Sequence, residues 1–287
     1  MVHDVGKPPS TSNSAQRLVC TMKMAVEVAH EERYELEILH RAISPSNIMI
    51  RMDVDREEIR LTKIEKDGGL TEGFLTDFEL AEGPWSDNTP RRNDAVTGTF
   101  SVMASSLLQA IAQEAKKGKL VAKSVPHLAE HDVESFAWVF LFVVYKAALD
   151  ITKDGAKELK GRLRKEFQGL FPGISPTNIL EGRAKLGLGG ATDCIEEYLG
   201  DPSKDPLFKD SLFAQLVLLI RDEILIPRLP QPKPAETPFR QALMKKSRKA
   251  NEPPKPEPLT HKILLDAFNL YITLDDVSKG DEATESD

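Results

Sequence analysis

His127 and His131 stand four residues apart, with Glu130 between them and Asp132 beside them. That spacing would put two imidazoles on one helical face within reach of a metal ion. At the mouth of a long apolar run the same side chains serve better as caps and loop packing, and that reading is preferred. Other chemistry-bearing runs are short. His40 to Asn47 (HRAISPSN) and Asp77-Phe78-Glu79 each gather polar donors, and each is uninformative taken singly. Gly187-Leu188-Gly189-Gly190 is rich in glycine, but it does not lead from a strand into a helix as phosphate loops do, so it reads as a turn. Cys20 and Cys194 are far apart, with no CxxC or His/Cys cluster to suggest zinc or a disulfide framework, which fits a reducing compartment.

The elements that must position these residues follow from periodicity. Residues 1–13 are rich in Pro, Ser, Thr and Asn and read as a disordered tail. Leu18, Met22, Ala25, Val26 and Ala29 then recur at helical spacing, and a first helix is expected to end near Glu32. Ile48-Met49-Ile50 and Gly73 to Phe78 read as two short strands, a hairpin whose long charged loop includes Gly68-Gly69. From Asp132 the run VESFAWVFLFVVYKAAL is apolar on nearly every side, the pattern of a helix buried all round, with Asp132 where an N-cap acceptor is useful. Lys157 to Gln168 is amphipathic and basic, and Leu207 to Ile226 is strongly apolar. Residues 228–259 are dense in proline and lysine and read as an exposed connector; 260–274 resume helical periodicity and should pack on the domain; 275–287 read as an acidic tail.

Bulk numbers set the frame. A chain of 287 residues that is 40% apolar can bury one substantial core. Its net charge of −7 argues against a nucleic-acid binder that works through its overall field. The N-terminus lacks a signal-peptide core, and the longest apolar run, Phe136 to Tyr145, is too short to span a bilayer. The expectation is a soluble, cytoplasmic protein with no membrane or nucleic-acid partner. Lys245, Lys246, Arg248 and Lys249 could form a nuclear-localisation or anionic-partner patch, with a solvated linker as the preferred reading. Pro230, Pro232 and Pro234 could present a polyproline ligand, though such runs more often space elements apart.

Taken in order, the motifs resemble a protein-kinase C-terminal lobe. His40-Arg41-Ala42-Ile43-Ser44-Pro45-Ser46-Asn47 resembles the catalytic loop H-R-D-L-x-x-x-N; Asp77-Phe78-Glu79 resembles D-F-G; Gly98-Thr99-Phe100-Ser101-Val102-Met103-Ala104-Ser105-Ser106 resembles the segment ending in A-P-E. Asp132 resembles the aspartate that braces the catalytic loop from below. In wording the chain is closest to the fungal-type protein kinase family, in which Ser44 and Glu79 are common variants, over roughly Ser14 to Ile226.

The resemblance implies a mainly α (α+β) fold, a kinase-like C-lobe with a small β-hairpin and no N-lobe. It puts Asn47 and Asp77 at magnesium-ligand positions, a poor site without nucleotide phosphates, with Glu79 as a third carboxylate or simply a solvated side chain. Thr97, Thr99 and Ser101 fall where activation segments are phosphorylated, with Arg91 and Arg92 nearby. Three departures bear on mechanism. Ala42 occupies the position of the catalytic base, and losing a base costs roughly 10²- to 10⁴-fold. No glycine-rich loop or strand lysine for ATP precedes His40. Ser106 replaces the A-P-E glutamate, so the segment is expected to be loosely held. The favoured expectation is therefore an inactive, pseudokinase-like binding module that takes no cofactor and uses its exposed upper face for a protein partner or homo-oligomer. The alternatives are a truncated or inactivated Ser/Thr-type kinase using ATP and magnesium, and a gene-model fragment without function.

Overall fold

A helix that is apolar on every side has to be surrounded, and the run after Asp132 shows why. The computed structural model describes residues 6–12, 14–51, 73–83, 99–118, 126–151, 157–173, 175–186, 194–199, 210–229 and 257–284. Numbered along the chain, its elements are β1 (Gly6–Lys7), α1 (Ala15–Val26), α2 (Glu32–Glu35), β2 (Ile48–Arg51), β3 (Gly73–Leu75), α3 (Ser105–Lys116), α4 (Ala129–Ile151), α5 (Lys157–Leu170), α6 (Pro176–Leu186), α7 (Cys194–Leu199), α8 (Ser211–Leu219) and α9 (His261–Thr284). The molecule is mainly helical with one small antiparallel sheet. Along α4, Val133, Phe136, Trp138, Phe140, Val144 and Tyr145 are all fully buried, with α1, α3, α5 and α9 packed around them.

Helix α1 begins where Ser14 Oγ accepts the Arg17 N–H at 3.4 Å and lays Leu18, Val19, Met22, Ala25 and Val26 onto the core. A π-helical turn, Glu27–Glu31, joins it to α2, so the helical path runs to Glu35, three residues beyond the expected end. The sheet order is β1-β2-β3, and Ile48 pairs with Leu75 and Ile50 with Gly73. Gly73 passes so close to α1 that a Cβ there would lie 2.3 Å from the Thr21 carbonyl oxygen, which only glycine permits.

The expected hairpin gains a third strand from the segment read as a disordered tail. Gly6 and Lys7 pair with Arg51 and Ile50, and Pro9 is buried in the turn that follows. The correction has a local cause: the open edge of β2 offers backbone partners that a polar composition does not reveal. At the other end, α9 runs ten residues beyond the expected boundary at Leu274, into the stretch read as an acidic tail. Once its inner face is anchored by Leu264, Leu265, Ala267, Phe268 and Tyr271, adding residues costs little because the nucleus already exists. Tyr271 Oη donates to Asp210 at 2.5 Å, and Asp210 also caps α8 by accepting the Leu212 and Phe213 N–H groups. The margins of the 228–259 segment also pack: Leu229 and Leu259 are buried, and Arg228 donates to the Glu257 carbonyl.

Several expectations lie outside the described residues: the Gly68-Gly69 turn, Arg91 and Arg92, Thr97, the 187–190 glycine run, Pro230 to Pro234, and the basic cluster Lys245, Lys246, Arg248 and Lys249. Among the described residues, no helix is long and apolar enough to cross a membrane.

Candidate functional site

Pairing Ile48 with Leu75 brings the chain entering β2 and the chain leaving β3 to the same end of the hairpin. Asn47 ties them together. Its carbonyl accepts the Thr76 N–H at 2.8 Å, while its side-chain amide donates to the Ala42 carbonyl at 2.9 Å and reaches Asp77 Oδ2 at 3.4 Å. The amide thus closes residues 42–47 into a ring, and the Ala42 side chain is buried. No ionisable group stands at that position, only a methyl.

Arg41 and Asp77 both hold φ near 64°, the left-handed region that non-glycine residues enter at a cost of about 1–2 kcal/mol. Such conformations persist only where surroundings over-determine them, and they cluster at functional sites. For Arg41 the restraint comes from both directions: its N–H donates to Asp132 Oδ2 at 3.1 Å, and its guanidinium pairs with Glu82 at 3.0 Å. A bridge between Leu39 and Glu82 locks the two loops further. His40 donates from Nε2 to the Thr76 carbonyl at 2.9 Å and accepts the Ala42 N–H at Nδ1, a pattern that requires the neutral ring. Burial accordingly pushes its pKa down. Phe78 covers it at 4.6 Å between ring centroids, and the Arg33 guanidinium lies 4.7 Å above Phe78.

Asp132 does not cap α4, which starts three residues earlier at Ala129. From the first turn its carboxylate points at the loop, accepting the His40 and Arg41 N–H groups at Oδ2 and His127 Nε2 at Oδ1. Sequence reading missed its other donor, His30 Nε2 at 2.9 Å, and beyond that His261, whose Nε2 lies 2.7 Å from His30 Nδ1. Burial alone would raise the Asp132 pKa, but the hydrogen bonds from His127 and His30 outweigh it and hold the carboxyl well below the usual range. His127 and His131 do not form a metal pair: His127 is bonded to Asp132, and His131 Nδ1 accepts the Leu128 N–H. Among the described residues, no group of three or more His, Cys, Asp and Glu side chains is arranged to hold a metal ion.

Asn47 and Asp77 are oxygen donors of the hard type that magnesium takes, and they lie adjacent; Glu79 is exposed. Two such ligands fit a magnesium ion that arrives with phosphate oxygens and retains water, and when bound it would neutralise phosphate charge.

The segment after Thr99 corrects a further expectation. Ser106 is exposed, yet the segment is firmly held from another side. The fully buried Arg183 of α6 donates to the Ser101 carbonyl at 3.0 Å, the Met103 carbonyl at 2.8 Å and Ser105 Oγ at 3.1 Å, and stacks 3.7 Å over the Trp138 ring. Glu134 Oε1 accepts both the Ser105 N–H and Trp138 Nε1. Burial lowers the Arg183 pKa to about 9, partly offset by Glu134. Thr99 itself is exposed at the rim of a small recess it shares with Arg41, Ile43, Met103, His127, Asp132 and Ser135. Of the sequence-predicted residues, His40, Arg41, Ala42, Asn47, Asp77 and Asp132 thus converge on one place, with Thr99 at its edge.

No curated protein matches the chain. A family model described as fungal protein kinase matches residues 1–144, half of the 287 and including every one of those seven positions. The loop, the hairpin, the paired Asn47 and Asp77 and the bracing Asp132 all lie within that match: this chain belongs to the fungal protein kinase family.

Proposed function

We propose that this chain is a kinase C-lobe-like module that has lost phosphotransfer and works as a binding or regulatory domain. The observation that carries the reading is Ala42. Phosphoryl transfer to a hydroxyl needs a carboxylate to orient and accept its proton, and a buried methyl can do neither. The loop around it keeps its shape without that carboxylate, because Asn47, Asp132 and Thr76 supply its hydrogen bonds. Arg183 likewise holds the following segment with neutral acceptors in place of an ion pair to a segment glutamate. This is what a scaffold kept for binding requires.

A second reading, nucleotide binding without turnover or a kinase inactivated at one position, draws on the adjacency of Asn47 and Asp77 and on the left-handed turn at Asp77. Thermal-shift titration with ATP and magnesium separates the two. The non-binding form predicts no magnesium-dependent shift, whereas ligand at about 100 times its Kd would add about 2.7 kcal/mol of stability. Phosphate-transfer assays on Ala42→Asp complete the test: no turnover is expected, and turnover would move the chain into the enzyme class.

A further inference from the structure

We propose that the loop His40–Asn47 and the C-terminal helix α9 form one proton-sensitive unit, joined through Asp132, His30 and His261, so that full protonation of the imidazole pair undocks the start of α9 and loosens the loop. The coupling belongs to the loop's scaffold and stands whether or not the loop takes nucleotide.

His30, Asp132 and His40 are about 1% exposed and His261 7%, so water does not complete their hydrogen bonding. The Asp132 carboxylate can only accept, so His30 Nε2 and His127 Nε2 must each carry a proton. That leaves His30 Nδ1 facing His261 Nε2 at 2.7 Å, a gap that holds a single proton. With both rings neutral, His261 donates and His30 accepts. One added proton is tolerated, because His30 can become an imidazolium against Asp132 while His261 turns acceptor. A second puts N–H against N–H and two cations beside one carboxylate.

Among the surrounding groups, the Glu31 carboxylate offsets this in part through its attraction to His30, and the others do not. From α4 come Asp132 and His131; from the loop before it, His127, whose ring stands edge-on to His131 at 5.5 Å. His40 adds a neutral ring from the loop side, Tyr34 of α2 lies 5.7 Å from the His261 ring, and Glu31 shares the π-helical turn with His30. His261 is pushed down to about 4, by burial first and by His30 second, with Asp132 opposing. Because His261 is the first residue of α9, the strain falls on the docking end of that helix. Because His30 and the loop amides share Asp132 Oδ2, a shift of His30 is passed to the acceptor that holds His40 and Arg41, leaving His127 on Oδ1 as the carboxylate's other tether.

Amide hydrogen exchange on the full chain, corrected for intrinsic rates and followed from about pH 7.5 to about pH 3, tests the idea. The amides of His40 and Arg41 and those of Leu265 to Ala267 should lose protection together, by on the order of tenfold beyond the global loss read from amides at the centre of α4, and with one midpoint. His261→Gln retains a donor near Nε2 but cannot titrate, so it should flatten both profiles. An unchanged pH profile in that variant, or separate midpoints for the two segments in the wild-type chain, overturns the proposal. Should the variant not fold, histidine ring shifts of the wild-type chain decide: His261 titrating at its ordinary pKa with no change at His40 and Arg41 rejects it.

Discussion

Among single residues, Arg183 carries the largest concentrated effect. A buried guanidinium bonded to two carbonyls and a hydroxyl and stacked on an indole cannot be replaced by a shape-matched apolar chain without leaving three acceptors dry. Arg183→Met should cost about 3–5 kcal/mol in urea unfolding, and Arg183→Lys less, about 1–3 kcal/mol, since an ammonium reaches some of the same oxygens without the planar fork. Amide exchange of residues 101–105 should rise in both variants, because the guanidinium holds that segment directly. Neither the sequence of α6 nor the segment hinted at this pairing. An arginine in an amphipathic helix reads as a solvated side chain until the helix is seen to lie on α3 and the turn at Phe100–Val102.

Between elements, close approach decides what is allowed. In α6, a Cβ on Gly182 would stand 1.7 Å from the Gly169 carbonyl oxygen of α5, whereas at Gly161, in the interior of α5, it would meet nothing within 4 Å. Gly161→Ala should therefore stabilise by about 0.5–1 kcal/mol, and Gly182→Ala should unfold the chain at markedly lower urea. The contrast is read from denaturation midpoints of the two variants side by side. On α9, Phe268 is fully buried beside Phe140, 5.6 Å between centroids, and Phe268→Ala should cost about 3–5 kcal/mol. A loss under about 1 kcal/mol would mean that α9 is not integral to the core.

Acid sensitivity belongs to the molecule as a whole. His131 and His261 are each held at about 4, below the ordinary 6.5, chiefly by burial. Between those values the unfolded chain binds more protons than the folded one, so stability is full above about pH 6.5 and falls as pH drops through the window to about 4. Asp132, depressed by its histidine donors, adds a loss that begins as pH falls into the usual carboxylate range and continues below it. Urea unfolding measured across pH should show a plateau at neutral pH and a decline beginning near 6.5. His261→Gln and His131→Gln should each reduce the slope, and a flat profile for the wild-type chain would contradict the burial of both rings.

The parts legible in the sequence were those written in local order. The all-apolar run after Asp132 could only be a surrounded helix; Ile48 to Ile50 and Gly73 to Phe78 read as a hairpin, of which the second strand in fact ends at Leu75; and His40 to Asn47 with Asp77 carried their meaning in their spacing. Hydrophobic periodicity and motif order survive in one dimension because they depend on neighbours a few residues apart. What tertiary structure alone decided were the polar joints between distant elements: His261 on His30 across 231 positions, Arg183 on the segment 82 positions before it, Asp132 on the loop amides 92 positions before it, and Gly6–Lys7 on the edge of β2. A buried donor and its acceptor are matched by how helices cross and by strand register, to within a fraction of an ångström. That geometry depends on the whole packed core at once, and no stretch of chain encodes it by itself.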